Sequence, residues 1–253
     1  MNTSDFQNLP NVTISGSGRF GGGSYNEVTI SGSGSCQGDV VCRELHVSGS
    51  GHFGGRLECT DNLRTSGSVH IDGDTAAGEV KISGAGHFGA SLECGGLRVS
   101  GAMHVEKTLR ASEVKASGAI RASDVEAESF YLSGAADISG LLNAETVEIE
   151  FYGAKSPVRI ASIGCTALKA HRSSRCDGGW GLGRLFRSDD KPKPMMEVKT
   201  IEGDDIELEY TAAEVVRGSR VTIGEGCRIG RVEYTESLNA CDSCTIGDSV
   251  KLG

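Results

Sequence analysis

Apolar and polar residues alternate along this chain in short bursts, and the bursts recur at a fixed spacing. The phrase apolar-x-apolar-Ser-Gly opens each repeat. It reads Val12-Thr-Ile14-Ser-Gly16, Val28-Thr-Ile30-Ser-Gly32, Leu45-His-Val47-Ser-Gly49 and Leu63-Arg-Thr65-Ser-Gly67, then Val80-Lys-Ile82-Ser-Gly84, Leu97-Arg-Val99-Ser-Gly101, Val114-Lys-Ala116-Ser-Gly118 and Phe130-Tyr-Leu132-Ser-Gly134. These eight copies start 16 to 18 residues apart. A short fixed period is the signature of one structural unit stacked on itself.

Counted from the first apolar residue of each copy, positions 0 and 2, 6 and 8, and 12 and 14 form three pairs. Side chains alternate along a strand, so each pair points inward. Three pairs per repeat of ~17 residues predict three short strands and three corners, one triangular turn of a parallel β-helix. The second pair is Gly51/Phe53 and Gly86/Phe88 in two turns and Val69/Ile71 in another, large beside small, as a fixed interior volume requires. The corner glycine at position 4 serves a positive φ or a close backbone approach. Past Ile149 the rhythm continues at Val158/Ile160, Ile163/Cys165 and Leu168/Ala170 without the Ser-Gly corner. It breaks over 171–197 and resumes with pairs read as Val198/Thr200, Ile206/Leu208, Ala213/Val215 and Val221/Ile223, ending at Val250/Leu252. The fold class expected is therefore all-β, a single-stranded parallel β-helix (solenoid) of ~13 turns. Its parts are a short tail over 1–11, regular repeats over 12–170, an extruded basic loop over 171–197 and a continuation over 198–253.

Composition adds constraints. The net charge of −9 argues against a nucleic-acid partner. The start, Met1-Asn-Thr-Ser-Asp5, lacks the basic and apolar stretches of an export signal. Nine cysteines in such a chain read as reduced thiols, and the expected location is cytoplasmic, with peripheral contact at the inner face of the cell membrane.

Candidate chemistry falls into columns. Cys42, Cys59 and Cys94 share position 14, and Cys227 and Cys244 share another inward column, so they are read as small buried hydrophobes. Position 7 points outward, and in consecutive turns it is Arg19, Ser35, His52, His70, His87, His104, Arg121 and Asp137. Four histidines should stack at ~4.8 Å on one face. A metal site or a pH-sensitive lateral contact is one reading of that column. A solvated face is the ordinary one, because a straight ladder does not converge on an ion. A basic stripe, His46, Arg64, Lys81, Arg98 and Lys115, runs beside Glu44, Asp61, Glu79 and Glu113. No catalytic, cofactor or metal residue is assigned. In the loop, Trp180, Leu182, Leu185 and Phe186 lie among Arg184 and Arg187, a composition that suits docking to a partner or an anionic membrane, and Cys176 is the thiol expected to be most exposed. Val12 and Ile14 at one end and Val250 and Leu252 at the other are read as open inward pairs, since solenoids otherwise need capping repeats. End-to-end self-assembly is the expectation.

At this level the chain resembles the bactofilins, bacterial polymer-forming cytoskeletal proteins. The resemblance rests on the repeat over 12–149 and on the stretch from Val215 to Leu238, VVRGSRVTIGEGCRIGRVEYTESL, which is similar to the C-terminal part of longer Gram-positive members. It implies a right-handed helix, polymerisation without nucleotide, no enzymatic activity, and scaffolding of cell-envelope, shape or motility proteins. Two alternatives compete. One is a non-polymerising β-helical adaptor of a flagellar or envelope complex. The other is a left-handed β-helix acyltransferase, suggested by Ile223-Gly and Ile229-Gly six residues apart; it would need a catalytic histidine beside an acyl-donor groove, and only His171 touches the loop.

Overall fold

The computed structural model describes residues 6, 8–152, 158–173 and 194–253. The docking residues Trp180, Leu182, Arg184, Leu185, Phe186 and Arg187, and Cys176, lie outside them. The protein is all-β, with parallel strands that count out to about 13 solenoid turns. It divides into two compact units, Met1–Glu128 and Ser129–Gly253. The boundary between them falls inside a strand.

The first unit holds β1 (Val12–Ile14), β2 (Ser17–Phe20), β3 (Gly23–Ile30), β4 (Ser33–Cys36), β5 (Val40–Val47), β6 (Ser50–Phe53), β7 (Leu57–Thr65), β8 (Ser68–Ile71), β9 (Thr75–Ile82), β10 (Ala85–Phe88), β11 (Leu92–Val99) and β12 (Ala102–Ala116), and most of β13 (Ala119–Leu132). They stack on three faces. On the first, Val12, Val28, Leu45, Leu63, Val80, Leu97 and Val114 align in register. The second aligns Gly34, Gly51, Val69, Gly86 and Met103, and the third Val40, Leu57, Thr75, Leu92 and Leu109. These are the columns the sequence predicts. Exposed and buried residues alternate in strands such as β6, where Gly51 and Phe53 face in and Ser50 and His52 face out. Ile30, Val47, Leu57, Leu63, Ile71 and Leu97 are among the fully buried side chains. At roughly 25 cal/mol per Å² of apolar surface, this narrow interior is the main stabilising term.

The Ser-Gly corner has a steric cause. None of the glycines of this corner has a positive φ. A Cβ on Gly67 would instead meet the carbonyl oxygen of Gly49 at 2.0 Å, and one on Gly49 the carbonyl of Gly32 at 2.0 Å; Gly84 repeats the relation with Gly67. That same carbonyl accepts the amide of the next residue, as in Ser68 N to Gly49 O at 2.8 Å. Close backbone approach, one of the two reasons the sequence offers, is the operative one. Gly16, in the first turn, has nothing within 4 Å of its notional Cβ. At the same end Phe6 is fully buried, so the tail before Val12 contributes to the core.

The 18-residue repeat from Leu45 to Leu63 takes up its extra residue as a register shift between Cys59 and Asn62. Asn62 therefore occupies the column of Glu44 and Glu79, and Asp61, expected there, is displaced to the bulge. Asp61 instead lies 3.4 Å from Arg43, which also pairs with Glu44.

The second unit holds the end of β13 and β14 (Ala135–Phe151), β15 (Val158–Arg172), β16 (Met196–Leu208), β17 (Thr211–Ile223), β18 (Arg228–Ala240) and β19 (Thr245–Lys251). Val158/Ile160 and Leu168/Ala170 face inward as predicted, and Ile163 is buried beside a half-buried Cys165. Two predicted pairs shift. Met196/Val198 and Thr211/Ala213 are the buried pairs of β16 and β17, with Ile201 and Val216 next inward, in place of Val198/Thr200 and Ala213/Val215. These turns are shorter, at 15 residues from Met196 to Thr211, so a 17-residue count overshoots. In β19, Ser249 stands opposite buried Val232 and Lys251 opposite Tyr234, which puts Val250 opposite Glu233. Val250/Leu252 is thus not an inward pair in that register.

The corner contact predicts a position-dependent cost. Gly67→Ala should destabilise the protein by about 3 kcal/mol, because a backbone carbonyl cannot yield as a flexible side chain would. Gly16→Ala should change stability by less than about 0.5 kcal/mol. Urea unfolding followed by circular dichroism measures both; equal effects would refute the steric account.

Candidate functional site

The outward column of the second face carries the densest cluster of titratable side chains. His52, His70, His87 and His104 sit on β6, β8, β10 and β12 in direct parallel register. Their rings do not form a uniform stack. His52 and His70 meet edge to face at 5.1 Å between centroids, His70 and His87 lie parallel at 4.5 Å, and His87 and His104 meet edge to face at 5.0 Å. Two carboxylates complete the arrangement. Asp72 Oδ2 is 3.1 Å from His52 Nε2, and its Oδ1 is 2.7 Å from His70 Nε2. Glu106 Oε1 is 3.7 Å from both His87 Nε2 and His104 Nε2. Within His52–His70–Asp72, and again within His87–His104–Glu106, one ligand atom from each residue lies within 4.8 Å of the others. Sequence reasoning found the ladder but read it as unable to converge. It missed the acids, whose signal is a carboxylate two residues after alternate histidines.

The electrostatics follow from the crowding. Burial, then the charges of His70 and His104, hold the His87 imidazole below its ordinary value, against the opposing pull of Glu106 and Asp72. The hydrogen bond from His52 holds the Asp72 carboxyl below its usual range.

The other candidates are dispersed. Cys42 and Cys59 are adjacent in register and fully buried, with Cys94 two turns on. The hydrogen bond with Cys59, then burial, raises the Cys42 thiol, and burial pushes Cys94 up to about 12. Cys227 is buried and Cys244 half-buried; burial pushes Cys227 up to about 11 and also raises Cys244. A hydrogen bond with Ser243 lowers Cys241. His171 Nε2 lies 3.2 Å from Glu148 Oε1. Along the charge stripes, Lys115 pairs with Glu113 at 2.5 Å. In the second unit Arg217 bridges Glu202 and Glu233 across three successive turns, and Arg220 bridges Asp205 and Glu236. Glu150 accepts hydrogen bonds from Tyr131 at 2.7 Å and Tyr152 at 2.8 Å. Together with one from Ser173, the largest contribution, these hold its carboxyl at about 2. An open groove of about 520 Å³ runs along the second face of this unit beside Asp137, Arg159, Glu197, Lys199 and Arg228. Of the expected end residues, Val12 and Ile14 are half-buried and Leu252 is 43% exposed.

The chain is 40% identical over 116 residues to the protein of Bacillus subtilis (strain 168) named "Uncharacterized protein YhbE", covering 46% of this chain and 44% of that one. It is 34% identical over 113 residues to "Uncharacterized protein YhbF" of the same strain, covering 45% and 42%. The similarity spans less than half the length of these curated relatives. No family model matches the chain, and no solved structure matches it.

Two outcomes are expected. Native protein treated with a thiol reagent should be modified at Cys241 well before Cys42, Cys59 or Cys94, because the thiolate is the reactive form and the other three side chains are buried; mass spectrometry of the labelled peptides gives the order. His87 has a folded pKa below its unfolded value near 6.5. The unfolded chain therefore binds the proton first, and stability is lost as pH falls through that value. The Tm should fall between about pH 7.5 and 5.5, and more gently in His87→Gln; an unaltered slope in that variant would remove His87 from the account.

Proposed function

We propose that the protein is a non-enzymatic, polymer-forming scaffold like the bactofilins its repeats resemble, assembling end to end without nucleotide and positioning cell-envelope, shape or motility factors. The observation that carries this reading is the way one turn meets the next. Within each unit the contact is in-register parallel pairing on all three faces. It is repeated with little change of geometry, so a turn of a second copy offers the same backbone donors, acceptors and apolar column as the next turn of the same chain. Among the described residues β19 pairs with β18 alone, and Leu252 beside it is among the few large apolar side chains left exposed. An unpaired strand edge is a template for another chain. Strand pairing and apolar burial need no nucleotide to drive them.

The register of β19 bears on which residues such a contact would use. Ile246, opposite Ile229, is the inward residue of its first half, and the backbone amide of Leu252 reaches Tyr234 O at 2.7 Å. Leu252 therefore contributes from the edge of the turn rather than from its interior.

Purified full-length protein should sediment as filaments visible by negative-stain microscopy. Leu252→Lys would place an unpaired charge in the contact and should raise the concentration needed for assembly by about tenfold or more, at about 1.4 kcal/mol per factor of ten. Its circular dichroism should match the parent protein. Ile14→Lys tests the opposite end in the same way. Wild-type protein that stays monomeric would favour the adaptor reading, discrete trimers would favour the transferase, and filaments of unchanged length in both variants would overturn the end-to-end contact.

A further inference from the structure

We propose that the histidine ladder of the first unit binds two divalent ions of the zinc class, one in His52–His70–Asp72 and one in His87–His104–Glu106. The sequence builds these triads by alternation. The four outward histidines begin His52-Phe-Gly54, His70-Ile-Asp72, His87-Phe-Gly89 and His104-Val-Glu106. Residues two apart on a strand share a face, so each acid stands beside the histidine of its own strand. The strand before it carries glycine at the matching place. Asp72 N donates to Phe53 O at 2.9 Å, which sets Asp72 directly after Gly54 in the column. With no side chain at 54, the Asp72 carboxylate reaches back across the strand to His52. The acid recurs every second turn, so the ladder splits into two triads rather than one continuous row.

The ring geometry splits it in the same way, by an independent route. Within each triad the two imidazoles are turned 67° and 76° to one another, and both Nε2 atoms face the shared carboxylate. Between the triads, His70 and His87 lie parallel at an interplanar angle of 1°. The histidines thus pair off in twos around alternate acids, which gathers two imidazole nitrogens and a carboxylate at each of two places.

The distances that pair these groups also leave room for a metal ion. A tetrahedral zinc site has bonds of about 2.0–2.2 Å to nitrogen and oxygen, which sets ligand–ligand edges of roughly 3.3–3.6 Å. Glu106 Oε1 stands 3.7 Å from both nitrogens, beyond hydrogen-bond reach and close to that edge length. In the other triad the carboxylate bridges its histidines at 3.1 and 2.7 Å and opens by a few tenths of an ångström to admit an ion. Two imidazoles and a carboxylate favour borderline cations such as Zn²⁺, whereas Mg²⁺ and Ca²⁺ prefer all-oxygen shells. The side chains are one-third to one-half exposed, so water completes the fourth position and the ion exchanges freely.

The test counts zinc per chain by equilibrium dialysis, a readout indifferent to whether the protein is polymerised. Wild-type protein should hold two more ions than Asp72→Asn/Glu106→Gln. Each single variant should lose one, with the affinity of that triad down by at least about tenfold, the loss that even an outer-shell partner costs. Zinc held by cysteines contributes equally to all four proteins and cancels. The zinc K-edge spectrum of the difference should show nitrogen and oxygen neighbours without sulfur, and excess Mg²⁺ should not displace the ions. Both substitutions face outward, so circular dichroism should be unaltered. Equal zinc content in wild type and double variant, or a difference spectrum dominated by sulfur, overturns the proposal. Neither result bears on assembly, which involves other residues.

Discussion

Each turn of the first unit rests on its neighbour at the Ser-Gly corner, where the carbonyl of one glycine occupies the space that a Cβ on the next would need. The contact leaves no slack. A corner residue with a side chain pushes the turns apart and breaks the amide-to-carbonyl bond that crosses the same gap. With glycine there, the three faces stack at the strand-pairing distance and position 0 of one repeat meets position 0 of the next. A slip of one residue would turn every inward side chain outward. The corner and the alternating apolar pattern therefore enforce the same register from two directions, a consistency expected of a sequence that specifies a single fold.

Strict register has an electrostatic consequence. Any outward position becomes a ladder of like positions about 4.8 Å apart, and a ladder of like charges repels itself. The chain meets this in two ways. Where cations stack, as at Lys81, Arg98 and Lys115, a flanking carboxylate offsets them: Glu113 accepts from Lys115 and lies 4.0 Å from Arg98. Where side chains are short and approach closely, the ladder is made of histidine. Imidazole rings can stack closely, as His70 and His87 do at 4.5 Å, whereas an ammonium or guanidinium row would need a counter-ion at each step. The depressed proton affinity of His87 is the residue of that crowding.

The fold was legible where the corner is strong. Over Val12 to Leu132 the apolar pairs, the three faces and the outward histidine column all follow from counting, because a 17-residue repeat with an invariant Ser-Gly anchor leaves little freedom of register. Past Ile149 the anchor disappears. The turn lengths contract, and the same counting drifts by two residues at Val198 and Ala213 and by one at Val250. The drift shows what the corner glycine contributes. Without it, apolar residues such as Val215 and Val250 occur on both sides of the strand, and periodicity cannot choose between them. The triads were missed for a different reason. Columns were read one position at a time, whereas a ligand set combines position 7 of two turns with position 9 of one, and only the geometry shows that Asp72 leans back over His52. Phe6 was missed because a single aromatic in a polar tail carries no period at all.

A solenoid's stability is a sum of nearest-neighbour steps, so an interaction between two turns stabilises that step and not the whole. The triads are placed on particular steps. An ion in the first joins β6 to β8, and one in the second joins β10 to β12. At the step between them, β8 to β10, the histidines meet in the parallel His70–His87 stack, beside the same backbone ladder as every other step. Ion binding would thus strengthen alternate steps and leave the middle one at its intrinsic strength. Because an ion bound only by the folded form stabilises in proportion to the logarithm of its free concentration, those two steps would follow the zinc level while the rest of the unit would not. A turn-to-turn contact that is otherwise fixed by glycine corners and apolar columns would then have two places where its strength is set by the surroundings.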